Sequence, residues 1–173
     1  MWLRINDKLN DEKSLLSIGK ALCLCQKYEI TCKDIITWLV VVKSLKEGKF
    51  SFLDNKYTSY VDKLVDIFLG QSINLLKERF SREIKKAEIQ ILKDAKDSRN
   101  FIVHNSAQDL ISWSFGSSST HKLDLQVFTN HIINVAEGDF LVSKWSYEFQ
   151  EKEPGAFYNK DRYIKKIVEW VLS

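Results

Sequence analysis

The sequence predicts an all-α protein, a bundle of five or six helices. Three observations carry that expectation. The 173 residues include one proline and six glycines, too few for the many turns of a β-sandwich. Apolar residues recur at spacings of three and four along most of the chain. Hydrophobic residues make up 45% and charged residues 28%, a balance that suits one domain with a sizeable core. No linker, internal repeat or low-complexity segment interrupts the chain, so residues 1–173 are expected to form a single domain.

The first helix is read from "NDEKSLLSIGKALCLCQKY", where Leu15, Ile18, Leu22 and Cys25 share one face. A second follows in "TCKDIITWLVVVKSLKEG", with Thr31 as its cap and Gly48 as its stop. Its apolar run, "IITWLVVV", is eight residues long, whereas a bilayer span needs about 20. "YTSYVDKLVDIFLG" is a shorter third helix that stops near Gly70, and the aromatics of "KFSFLDNKY" pack the loop before it. The fourth starts near Ser72 and runs past Arg99, with Ile84, Ala87, Ile91, Ala95, Ser98 and Ile102 as its inner stripe. "SFGSSST" is a connection. The fifth covers about Lys122 to Glu148, with Leu125, Phe128, Ile132 and Val135 inward and Gly138 as a candidate kink. "EKEPGAF" breaks the chain, and a last helix runs from about Tyr158 to Leu172.

Charge and cysteine usage narrow the function classes. The opening "MWLRINDKLNDEK" lacks the apolar core of a signal peptide, which predicts a cytoplasmic protein without a membrane segment. Cys23, Cys25 and Cys32 are odd in number and have no histidine nearby. They read as reduced, partly buried thiols, not as a disulfide framework or a zinc site. The net charge is +3, and the segment from Lys77 to Arg99, with eight basic and five acidic residues, carries an excess of the same size. Such a segment is a mixed, solvated helix face or a surface for a polyanion.

Within it lies "DSRNFIVHN", Asp97 to Asn105. On a regular helix Lys93, Asp97, Asn100 and His104 form one polar stripe, while Arg99 lies about 140° from His104. A catalytic use of the pair therefore demands a helix end, a dimer groove, or both. The residue types suit cleavage of RNA through its own 2′-hydroxyl. Histidine can take or give the proton. Guanidinium matches the phosphate with two parallel hydrogen bonds. The nucleophile belongs to the substrate, and the sequence shows no HxxEH-type helix or cluster of histidines and carboxylates, so neither metal nor cofactor is expected. The bare spacing arises by chance in about one such chain in four. The adjoining Asn100, the apolar residues between and the helical setting add weight.

"SRNFIVHN" resembles the signature of the HEPN superfamily: arginine, a polar residue, two to four more residues, then histidine. The resemblance implies a helical bundle that dimerises and acts as a metal-independent endoribonuclease in toxin–antitoxin, phage-defence or RNA-processing settings. It makes Arg99 and His104 the catalytic pair and Asn100 their polar neighbour. Arg99 would bind and stabilise the phosphate, His104 act as base or acid, and Asn100 orient the histidine or a phosphate oxygen from the preceding turn. Lys86, Lys93, Lys96 and Asn105 are the expected RNA contacts. The implied partners are RNA, a second copy of the chain, and an antitoxin or regulatory protein. Ser106 stands where toxins paired with small nucleotidyltransferases often carry a tyrosine, which sets this chain apart from them.

Two rival readings use the same residues. One is a catalytically silent helical module that binds RNA, a nucleotide or a protein. The other is a purely structural bundle in which Arg99 pairs with a nearby carboxylate. Of the remaining histidines, His121 is expected to be exposed beside the Ser/Thr-rich loop. His131, between Val127 and Val135, is expected to be semi-buried and hydrogen-bonded. Ser117, Ser118 and Ser119 lack the context of a nucleophile elbow. The C-terminal "FYNKDRYIKK" alternates Tyr158 and Tyr163 with basic residues and could hold RNA, but an ordinary amphipathic last helix is favoured. Trp38, Phe128 and Trp145 read as core or dimer surface.

Overall fold

The computed structural model describes residues 12–51, 54–106, 125–151 and 159–173. The described residues are all-helical apart from turns, with six helices among them in the order α1 (Glu12–Lys46), α2 (Asn55–Val65), α3 (Leu69–Arg79), α4 (Lys86–Asn105), α5 (Leu125–Glu151) and α6 (Lys160–Leu172). No strand occurs among the described residues. No described helix is long and apolar enough to cross a membrane. His121, Ser117 to Ser119, Tyr158 and the "EKEPGAF" break after its first residue lie outside the described residues.

The two helices expected before Gly48 are one helix of 35 residues. Thr31 caps nothing, because Tyr28, Cys32, Ile35, Ile36, Leu39 and Val40 continue the buried stripe of Ile18, Ala21, Leu24 and Cys25. An unbroken inner face outweighs the modest helix propensity of "YEITC". Leu15, expected inside, is exposed. The stop at Gly48 is as expected. Gly48 has φ +68°, and the Gly48 and Lys49 amides donate to the carbonyls of Leu45 (3.0 Å) and Ser44 (3.1 Å). This is a Schellman ending, which glycine allows.

The expected third and fourth helices divide differently. α2 ends at Val65, and Gly70 lies in the first turn of α3. The single helix expected past Ser72 is broken between Arg79 and Lys86. Phe80 folds into the core there, and its carbonyl accepts from the Glu83 and Ile84 amides. Glu88 then reaches back to the Lys85 amide at 3.0 Å, which starts α4. The restart moves the inner stripe. α4 buries Ile89, Leu92, Ala95, Ser98 and Ile102, while Ile84 and Ile91 are half-buried and Ala87 is exposed.

α5 packs across α4 and α1. Phe128, Ile132 and Val135 are buried as expected, but Leu125, at the first turn, is 60% exposed. Gly138 marks the closest approach. A Cβ there would lie 2.4 Å from the Ala95 Cβ and 2.9 Å from the Tyr28 ring. Tyr28 is fully buried, and its hydroxyl donates to the Leu92 carbonyl at 2.8 Å. Three helices thus meet at one point, just before Arg99 on α4. Asn159 caps α6 by accepting from the Arg162 amide at 2.8 Å, and Val171 is buried in the core.

Candidate functional site

α4 is helical through its last turn, so Arg99 and His104 diverge as a regular helix requires. Arg99 sits on the side facing α1, where its Nη2 donates to the Glu29 carboxylate. Its Nη1 donates to the Asn100 Oδ1 at 3.0 Å. The pair is partly shielded, with side-chain exposures of 24% for Arg99 and 28% for Glu29. The Arg99 Nε is buried without a hydrogen-bond partner among the described residues. His104 is exposed in the last turn and makes no described hydrogen bond to Arg99. One chain alone therefore does not bring the two side chains together.

The other expected contacts fall on two faces. Lys86, Lys93, Asn100 and His104 follow one side of α4. Lys93 is half-buried and the other three exposed. Asn105 is exposed at the helix end. Lys96 is turned away. Its Nζ lies 2.6 Å from Asp97 Oδ1, and its stem runs over Gly70. Ser106 is buried, and its hydroxyl donates to the Ile102 carbonyl, which satisfies one of the open acceptors at the helix end.

Beside Arg99, Ser98 joins α4 to α5. Asn134 Nδ2 donates to the Ser98 Oγ at 3.0 Å, and His131 Nδ1 lies 3.1 Å from the same oxygen. Ser98 accepts from Asn134, and its hydroxyl can either donate to His131 Nδ1 or accept from it, according to the ring tautomer. The ring stacks on Phe101, with centroids 3.9 Å apart. Burial holds the His131 pKa below its ordinary value. The semi-buried, hydrogen-bonded role expected for His131 is the one observed.

Cys25 and Cys32 are buried and Cys23 is exposed, all three as free thiols. Burial pushes both buried thiols up to about 12. At Cys25 the nearby Arg99 guanidinium opposes this and Glu29 adds to it. Neither is an activated nucleophile. Among the described residues no group of three or more His, Cys, Asp or Glu side chains could hold a metal ion.

Sequence reasoning missed two acids. Glu29 carries no local signal, since its partner is 70 residues away. Asp139 does carry one. It sits in the inner register of α5 after Phe128, Ile132 and Val135, an acid on an apolar stripe. It is fully buried. Lys27 Nζ donates to its Oδ1 at 2.7 Å, and the Tyr163 hydroxyl donates to its Oδ2. Tyr163 is thus engaged inward, and Lys160 pairs with Glu137 at 2.8 Å. The amphipathic reading of the last helix fits these contacts. Phe128 and Trp145 are core, while Trp38 is partly exposed.

Comparisons with family models, with curated proteins and with solved structures found no match for this chain.

Proposed function

We propose that this chain is a metal-independent endoribonuclease of the HEPN type that works as a homodimer. One observation carries the reading. Arg99 is oriented by Glu29 and Asn100 yet keeps a buried Nε–H with no partner among the described residues, and His104, with no hydrogen bond among the described residues, follows it at the exposed end of the same helix. A buried donor without an acceptor is costly to leave unmet, and a shift of the side chain that opens it to solvent would let a phosphate oxygen meet it. Because the two side chains point apart by about 140° on a continuous helix, a two-fold pairing of α4 would set His104 of one copy beside Arg99 of the other.

In the proposed reaction the 2′-hydroxyl oxygen of a ribose attacks the adjacent phosphorus while an imidazole removes its proton. Guanidinium carries the charge that develops on the phosphorane oxygens. The bond to the 5′-oxygen breaks and that oxygen takes up a proton, leaving a 2′,3′-cyclic phosphate and a 5′-hydroxyl. Incubation with single-stranded RNA in EDTA tests this. Cleavage with those termini is expected, and His104→Ala should reduce it by a factor on the order of 10²–10⁴. RNA methylated at the 2′-oxygen of the cut site should survive. Magnesium-dependent cleavage leaving 5′-phosphates would rule the mechanism out.

The Arg99–Glu29 ion pair favours a second reading, a silent helical module in which Arg99 ties α4 to α1. That reading expects no RNA cleavage and a marked loss of stability in Arg99→Ala.

A further inference from the structure

A groove of about 410 Å³ opens between the end of α3 and the first half of α4. Its apolar lining is Phe80, Ile84 and Ile89, and Lys77, Lys86 and Lys93 stand around it. Among the described residues no carboxylate lines it. Of the acids nearby in sequence, Glu83 pairs with Lys43 at 3.1 Å, Glu88 accepts from the Lys85 amide at 3.0 Å, Asp94 accepts from Gln90 on the groove wall at 2.8 Å, and Glu78 is exposed outside the lining. The three lysines belong to none of the ion pairs among the described residues. Lys43, Lys96 and Arg99, by contrast, are each matched to an acid. An apolar concavity ringed by unneutralised ammonium groups suits a flat apolar body joined to phosphates.

The groove is also in line with the end of α4. Lys86, Lys93 and Asn100 are seven residues apart, so each lies only about 20° around the helix from the last and about 10 Å further along it. His104 is one turn beyond Asn100. A single strand laid along this stripe would pass from the groove to the histidine.

We infer that the groove is a base-binding subsite for single-stranded RNA. One unstacked nucleobase would enter between Phe80, Ile84 and Ile89, with the flanking phosphates on Lys77, Lys86 and Lys93. Its place beside the cut rests on the endoribonuclease reading. Its affinity for a single strand does not. Base contacts with apolar side chains and phosphate contacts with lysine are the two elements of sequence-tolerant single-strand binding.

The test is fluorescence anisotropy on the full-length His104→Ala protein with a 5′-labelled uridine dodecamer. Combined Lys77→Gln, Lys86→Gln and Lys93→Gln should weaken binding at least tenfold. It should also lower the slope of log K against log salt by about 2, three contacts at roughly 0.7 each. An abasic dodecamer should bind more weakly than the uridine one, and Ile84→Glu should abolish that difference. Melting curves of the variants check that each is folded. Unchanged dodecamer binding in the lysine variant would overturn the subsite, as would equal affinity for the abasic strand. So would an equal loss from Arg162→Gln, Lys165→Gln and Lys166→Gln on α6, which would indicate diffuse attraction. If the wild type cleaves no RNA while the groove variants lose dodecamer binding, the nuclease reading falls and the subsite stands. If cleavage depends on His104 while the groove variants bind normally, the reverse holds.

Discussion

Two ion pairs leave α1 two residues apart, and they differ in kind. Lys27 reaches Asp139 on α5, and Glu29 reaches Arg99 on α4. Asp139 is wholly buried and its two oxygens are used by Lys27 and Tyr163. Lys27 itself is 53% exposed, so the charge that lost its water is the one best supplied with donors. At the other pair both partners are partly exposed, and Arg99 keeps a buried N–H with no partner among the described residues. A satisfied buried acid defines packing. An incompletely satisfied guanidinium near solvent leaves capacity for a ligand. The contrast separates a structural anchor from a candidate site on opposite sides of one turn of the same helix.

The most severe way to break the anchor is Lys27→Met. It strands the Asp139 carboxylate, and the expected loss is about 3 kcal/mol, the lower end of the range for breaking a buried pair. Asp139→Asn should cost less, because Lys27 can turn to water. Urea denaturation of both variants checks the order.

Gly138→Ala attacks the same anchor from the backbone. The added methyl meets the Ala95 Cβ and the Tyr28 ring, with an expected loss of about 2 kcal/mol from overpacking. A neutral result would mean that α5 shifts freely against α4.

Glu29→Gln sharpens the comparison. If Arg99 is poised for a ligand, the variant should lose no more than about 1 kcal/mol, as expected for a pair with solvent access. A loss matching that of Lys27→Met would make the second pair an anchor too and favour the silent module.

The smallest effect is in pH dependence. Burial lowers the His131 pKa, so the folded state disfavours imidazolium. The stabilising difference is present above the ordinary value of 6.5 and is lost as pH falls through the lowered folded value. Melting temperature should therefore decline on acidification below about 6.5 in the wild type. The decline should be shallower in His131→Gln, and identical slopes would remove His131 from the account.

The fold was legible where a helix has an inner stripe and a clear stop. Gly48 ended α1 for a local reason, a left-handed residue that glycine accepts. Phe128, Ile132 and Val135 gave the inner face of α5. Boundaries failed where a choice was made elsewhere in the chain. Thr31 had the chemistry of a cap, but the buried faces on both sides were in register and the helix ran through. Ile84 and Ala87 had helical spacing, but the burial of Phe80 interrupted the helix before them.

The candidate site divides in the same way. The sequence by itself determined the helical class, the arginine and histidine on one helix, the angle between them and the polar stripe, because periodicity is a local property of a regular backbone. Only the tertiary structure decided that Arg99 meets Glu29, that Lys96 turns to Asp97, that Ser98 links His131 and Asn134, and that three lysines surround an apolar groove. Those outcomes depend on which helix faces lie against one another. That arrangement is set by close-packed contacts such as Gly138 on Tyr28 and Ala95, between residues far apart in the chain.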